Sequence, residues 1–206
     1  MKKPLSTFGR VEPTRVLTPR WRSFSIILLL LLTLPAVTFA QNKLWDKTIG
    51  GSDWDVLSIV QQTQDGGYIL GGYSYSNISG DKSQNNKGGY DYWVVKLNAN
   101  GAKVWDRTLG GTSDDVLTSL QQTSDGGYIL AGRSESGVGG NKSQPNKGES
   151  DYWVVKLNAK GNKVWDKSFG GSGNDYLYSV QQTSDGGYVL GGWSRSGFSG
   201  NKTQAS

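Results

Sequence analysis

The sequence has no cysteine and no histidine, and its one methionine is Met1. Without cysteine there are no disulfides, thiolate metal sites, iron–sulfur clusters, thiol nucleophiles or lipid-modified cysteine anchors. Without histidine, Ser-His-Asp and Cys-His catalysis and His-ligated metals are excluded. Beyond the first forty residues no segment shows a helical period, and proline occurs only five times in 206 residues. What is abundant is glycine, 30 residues, and aromatic side chains, 11%. The formal net charge is +5, a balance that would suit an anionic partner if the charge were clustered.

The charge is not clustered in the body of the chain. Residues 1–22 carry Lys2, Lys3, Arg10, Arg15, Arg20 and Arg22 against one acid, Glu12. An apolar run over 26–32 follows, extended to Leu34 and interrupted by Pro35. Thr38-Phe39-Ala40 then places small residues at −3 and −1 of a cut before Gln41. A basic region, a short apolar core and a small-residue cleavage site are the three parts of a secretory signal peptide. Residues 1–40 are therefore expected to be a leader, removed to give an exported protein with no stable membrane anchor. The remainder, 41–206, has 16 basic and 16 acidic residues. Nucleic-acid binding needs clustered lysines and arginines to displace counterions, so no nucleic-acid partner is expected.

Residues 41–206 form a repeat. Trp45, Trp105 and Trp165 are spaced by 60 residues, as are the Asp-Gly-Gly-Tyr segments at 65–68, 125–128 and 185–188. Asp-Tyr-Trp-Val-Val-Lys-Leu occurs at 91–97 and again at 151–157. Residues 45–104 and 105–164 match at 39 of 60 positions without a gap, and a third copy runs from 165 to 206.

Each full repeat reads as four strands. The first is expected near 56–63, followed by an Asp-Gly-Gly turn, since Asp-Gly between apolar runs signals a hairpin. The second starts at Tyr68 and is apolar on both faces, as an interior strand would be. A polar loop over 74–90 leads to a third strand at 92–97, with Trp93, Val95 and Leu97 on one face and Tyr92, Val94 and Lys96 on the other. Asn98-Ala99-Asn100-Gly101 turns into a fourth strand at 103–109, and Gly110-Gly111 leads onward. Sheets this small must stack to bury both faces. The expected fold is all-β, with antiparallel four-stranded repeats of β-propeller type. A stacked β-solenoid is the alternative, disfavoured by repeat length and by the two hairpins in each repeat. Adding a terminal strand near 43–49, the tally is about two and a half blades, an incomplete ring. The expectation that follows is an N-terminal fragment whose open edges are covered by downstream repeats or by an oligomer partner.

The pattern Asp-Tyr-Trp-Val-Val-Lys-Leu-Asn-Ala-x-Gly, a Gly-Gly step, and Gln-Gln-Thr-x-Asp-Gly-Gly-Tyr-Ile-Leu-x-Gly resembles the delta-sixty type of β-propeller repeat. It is especially similar to versions in exported proteins of bacteria that use type IX secretion. The resemblance spans nearly all of 43–206 and implies a repeat type and an extracellular or outer cell-surface location; it implies no activity. The Lys-Val-Trp-Asp segment is locally similar to quinoprotein propeller repeats, but no quinone-binding set is present.

Candidate chemistry is sparse. Asp55, Asp115 and Asp175 recur next to Asp53 and Asp114, and such acids could bind calcium or form a glycosidase pair. One recurring carboxylate supplies too few oxygens, so these read as turn caps, and no metal or cofactor is expected. Asp65, Asp125 and Asp185 read as hairpin residues. Sequons at Asn77, Asn141 and Asn201 read as by-products of an Asn/Ser-rich loop. The positions that differ between copies carry more promise. Tyr73, Arg133 and Trp193 share one repeat position, and Tyr75, Glu135 and Arg195 another; Trp54 is matched by Asp114 and Asn174. Loops on rigid scaffolds are where binding function sits, so Trp54, Tyr73, Arg133 and Trp193 are the candidate binding residues. The expected function is a non-enzymatic exported scaffold that binds protein or glycan. The alternative is an accessory region of a larger secreted polysaccharide-active enzyme.

Overall fold

A computed structural model describes residues 6–12 and 42–204, and among these there is no helix. The expected leader, 1–40, lies outside the described residues except for one strand, β1 (Ser6–Glu12). The chain divides into two compact units. The smaller, Thr7–Lys47, contains most of a two-stranded sheet in which β1 pairs with β2 (Asn42–Ile49).

The larger unit carries the repeats. Its first sheet runs β3 (Asp55–Gln62), β4 (Tyr68–Ser74), β5 (Asp91–Leu97) and β6 (Lys103–Leu109) in spatial order. The second repeats that order with β7 (Asp115–Gln122), β8 (Tyr128–Ser134), β9 (Asp151–Leu157) and β10 (Lys163–Phe169). A third sheet holds β11 (Asp175–Gln182) and β12 (Tyr188–Ser194). All neighbours are antiparallel. The architecture is thus all-β, with four-stranded antiparallel sheets repeating along the chain. Strand positions agree with the sequence reading to within one residue.

Local chemistry sets the connections. In the first hairpin Thr63 N–H donates to Gly67 O and Gly66 N–H to Thr63 O, both at 2.9 Å. Gly66 then sits at φ +77°, which glycine adopts without steric penalty. This is a turn followed by a left-handed bulge residue, a common three-residue hairpin loop. The second hairpin closes the same way, with Gly101 at φ +77° and Asn98 N–H donating to Ala102 O.

The sheets stack face to face through alternating side chains. Tyr92, Val94, Ile69 and Leu109 of the first sheet pack with Leu117, Leu130, Trp153 and Val155 of the second. The opposite face of the second sheet sends Ile129, Ala131 and Val154 against Leu177 and Val180 of the third. Trp93 and Trp153 are both fully buried. Tyr92 locks the first junction, with its ring 4.7 Å from Trp153 and its hydroxyl donating to Trp153 O at 2.9 Å. Trp105 meets Tyr128, and Trp165 meets Tyr188, edge to face at 5.8 and 5.9 Å. Such pairs contribute about 0.5–1.5 kcal/mol beyond their area.

The recurring Gln-Gln pair ties the sheets together along their edges. Gln122 N–H donates to Gln61 Oε1 at 2.8 Å, and Gln182 N–H to Gln121 Oε1 at 2.8 Å. In the other direction Gln64 N–H donates to Gln122 Oε1, and Ser124 N–H to Gln182 Oε1. These bonds join sheets rather than strands of one sheet.

Candidate functional site

One end of the stacked sheets carries the 74–90 and 134–150 loops, the Gly-Gly crossings and the strand ends beside them. Beneath the loops lies a polar layer that repeats from sheet to sheet. Asp55, Asp115 and Asp175 are buried. The Oδ2 of each accepts a bond from the crossing glycine, Gly51, Gly111 or Gly171, at 2.6–2.8 Å. The same oxygen accepts from Ser76, Ser136 or Ser196 Oγ at 2.7–3.0 Å. They are caps, as their turn position suggested, but caps that also fasten the following loop.

Asp106 and Asp166 form a second recurring node. Trp93 Nε1 donates to Asp106 Oδ2 at 3.2 Å, and Trp153 Nε1 to Asp166 Oδ2 at 3.1 Å. Ser83 and Ser143 N–H groups reach the same oxygens at 2.9 Å, while Lys103 and Lys163 hold the others. Burial pulls these carboxyls upward, but donors from Ser83, Lys103 and Trp93 at Asp106, and from Lys163, Ser143 and Trp153 at Asp166, bring them below the ordinary range.

Asp91 and Asp151 behave in the opposite way. Each Oδ2 accepts from a loop N–H, Lys87 or Lys147, at 2.6 Å. Their Oδ1 atoms are buried without a hydrogen-bond partner. A Cβ on Gly110 would lie 1.8 Å from Asp91 Oδ1 and 2.8 Å from Asp115 Oδ2, so carboxyls from two successive sheets converge on that glycine. Burial, then the neighbouring Asp115, push Asp91 up to about 7 against the Lys87 N–H bond. Asp115 and Asp151 are raised by burial too. The buried Lys82 is pushed down to about 8 by desolvation, opposed by Asp91, Asp55 and Asp106. Among the described residues no group of three or more acids gathers as a metal-binding cluster.

Above this layer the side chains that differ between repeats form a rim. Arg133 Nη1 pairs with Glu135 Oε1 at 2.5 Å, and its guanidinium lies 5.0 Å from the Tyr176 ring. Tyr176 stacks on Trp193 at 5.2 Å, and Arg195 covers the Trp193 ring at 5.2 Å. The result is a continuous row, Glu135–Arg133–Tyr176–Trp193–Arg195, crossing from the second sheet to the third. Trp193 remains 40% exposed. On the first sheet Tyr73 and Tyr75 both pack edge-on to Tyr90, at 5.2 and 5.5 Å.

Of the four residues singled out from sequence, Arg133 and Trp193 are brought together through Tyr176. Tyr73 belongs to the separate tyrosine cluster. Trp54 is 45% exposed and joins that cluster by backbone, through Tyr75 N–H donating to Trp54 O at 2.8 Å. Among the described residues no ring or ion contact links Trp54 or Tyr73 to Arg133 or Trp193. Sequence reading missed Tyr176 and Tyr90. The same signal could have found them, because the repeat positions read Val56, Val116, Tyr176 and Tyr90, Ser150.

No family model and no curated protein matches this chain.

Proposed function

We propose that the sheets are blades of a β-propeller-type scaffold whose rim of strand-end and loop side chains binds a protein or glycan ligand, with no catalytic role of its own. The observation that carries the reading is the row from Glu135 to Arg195. Its members stand at positions that differ between copies, while the layer beneath them recurs. Stacked, partly exposed aromatics flanked by guanidinium groups suit either a sugar face or a protein hot spot. The stacking fixes the rotamers in advance, which lowers the ordering cost of binding. The 1–40 segment supports an exported protein, at the cell surface or outside it.

The test is binding of the full chain to a glycan array and to extracts of cell-surface protein. Tyr176→Ala and Trp193→Ala should each weaken a detected interaction about tenfold or more, while Lys160→Ala, outside the row, leaves it unchanged. Binding that is indifferent to both aromatic substitutions would remove the rim from consideration. The export reading is checked separately by N-terminal sequencing of the secreted form, expected to begin at Gln41.

A further inference from the structure

Asp91 and Asp115 meet across the junction of the first two sheets. Asp91 opens β5 in one sheet and Asp115 opens β7 in the next. The backbone holds them together, because Asp115 N–H donates to Tyr90 O at 2.5 Å. The arrangement recurs 60 residues on. There Asp151 opens β9, Asp175 opens β11, and Asp175 N–H donates to Ser150 O at 2.6 Å. All four carboxyls are at most 1% exposed.

The hydrogen bonds of these side chains leave oxygens over. Every Oδ2 is used: Asp91 and Asp151 accept from the loop N–H of Lys87 and Lys147. Asp115 and Asp175 accept from a crossing glycine and a serine hydroxyl. The Oδ1 atoms of all four are buried without a partner, and so is the hydroxyl of Ser150, next to Asp151. The two carboxyls of each junction also close on one point. A Cβ on Gly110 would meet Asp91 Oδ1 at 1.8 Å and Asp115 Oδ2 at 2.8 Å. A Cβ on Gly170 would meet Asp151 Oδ1 at 2.3 Å and Asp175 Oδ2 at 2.7 Å. Glycine leaves a cradle at that point which any other residue would fill.

No cationic side chain neutralises these pairs by contact. Among the described residues no ion pair joins a lysine or arginine to any of the four. The buried Lys82 and Lys142 are felt through their fields, but their hydrogen bonds go elsewhere. Lys82 donates to Thr108 Oγ1, and Lys142 to Gln144 O, Asn146 Oδ1 and Ser168 Oγ. Buried carboxylates set side by side with unused oxygens are costly unless a positive charge joins them.

We propose that each pair, Asp91 with Asp115 and Asp151 with Asp175, binds a calcium ion that staples neighbouring sheets together. The donors are oxygen alone, which suits calcium or magnesium rather than a softer metal. Calcium accepts irregular coordination completed by carbonyls and water, whereas magnesium sheds its own waters reluctantly. A site this enclosed therefore favours calcium. The carboxylates of each pair come from different sheets, so the ion acts on the junction and not within a sheet. Both sites lie in the recurring layer beneath the rim, and neither depends on what the rim binds.

The test is calorimetric titration of the full chain, stripped with EDTA, with calcium chloride at about pH 8, where carboxyls are ionised. Saturable binding with a stoichiometry of two is expected, and magnesium should bind more weakly by about tenfold or more. Asp91→Asn keeps the shape and an acceptor for Lys87 N–H, and should remove one ion; Asp151→Asn should remove the other. Asp185→Asn, at an exposed turn, should leave both. Thermal unfolding is the second readout. Calcium should raise the Tm of the wild type, and that response should vanish when both substitutions are combined. No saturable calcium binding by the folded wild-type chain would overturn the proposal. So would binding that survives both substitutions, or a rise in Tm that sodium chloride reproduces at equal ionic strength. Stabilisation by acid with no response to calcium would assign the pairs to a shared proton instead, and would overturn it equally.

Discussion

β8 and β12 hold equivalent places in successive repeats and differ at three of seven positions. β8 is buried along nearly its whole length, whereas most of β12 is partly or fully open. The difference lies in the neighbours. β8 has β7 and β9 beside it and sheets against both faces, while β12 has β11 beside it. In stacked repeats, stability is carried by intrinsic terms plus nearest-neighbour interfaces, and these two strands separate the two contributions within one chain.

The largest expected effect is at Trp153. Its truncation to alanine should cost about 3–5 kcal/mol in chemical denaturation, because the indole is enclosed at the junction and its Nε1 leaves Asp166 short of a donor. Leu190→Ala, on the open strand, should cost well under half of that; equal losses would mean that β12 is as enclosed as β8.

Next in size is a pH effect. The folded protein holds Asp91 at about 7, above the ordinary 3.8. The folded state then binds more protons than the unfolded one between those values. This stability is complete below about pH 4 and is lost as the pH rises through 7. Asp91→Asn should flatten the fall in Tm between pH 4 and 8 and raise Tm at pH 8. A wild-type profile with no decline over that window would contradict the assignment. The hairpin acids work in the other direction: the Thr63 hydroxyl and then Lys96 hold Asp65 at about 2. Its contribution is present above about pH 4 and is lost as the pH falls through 2.

Smaller still is the surface ion pair at the turn. Asp125→Ala removes the 2.9 Å contact to Lys156 and should cost less than about 1 kcal/mol, less again in high salt. Asp185→Ala, at a turn where no lysine approaches within ion-pair distance among the described residues, should show no comparable salt dependence. At the rim, Tyr176→Ala removes one aromatic pair and one cation–π contact and should cost about 0.5–1.5 kcal/mol, with no dependence on salt comparable to that at Asp125.

The strands were legible because three signals agreed: a 60-residue recurrence, period-two apolar faces and glycine-bearing turns. The tryptophans were legible as packing residues for the same reason. The polar layer was not. Lys82, Asp91 and Asp106 lie in or beside segments whose composition reads as solvated, and only the folding of the 74–90 loop back over the strand ends buries them. The Gln-Gln pairs recur plainly, but their partners are about 60 residues away, across a junction that a one-dimensional reading does not bring together. Four of the five residues in the row, Arg133, Glu135, Trp193 and Arg195, stand at positions marked by differences between copies. Tyr176 escaped because it interrupts a strand position that otherwise reads Val, and so looked like ordinary strand chemistry.

The glutamine bonds have one more consequence. The amides of Gln122 and Gln182 are held by side chains of the preceding sheet, so their exchange with deuterium is slowed only while neighbouring sheets remain together. Amides inside a hairpin, such as Gly66 and Gly126, report instead on each sheet by itself. The molecule therefore contains its own pair of clocks, one for separation of the sheets and one for their melting, and a single exchange experiment can tell which happens first.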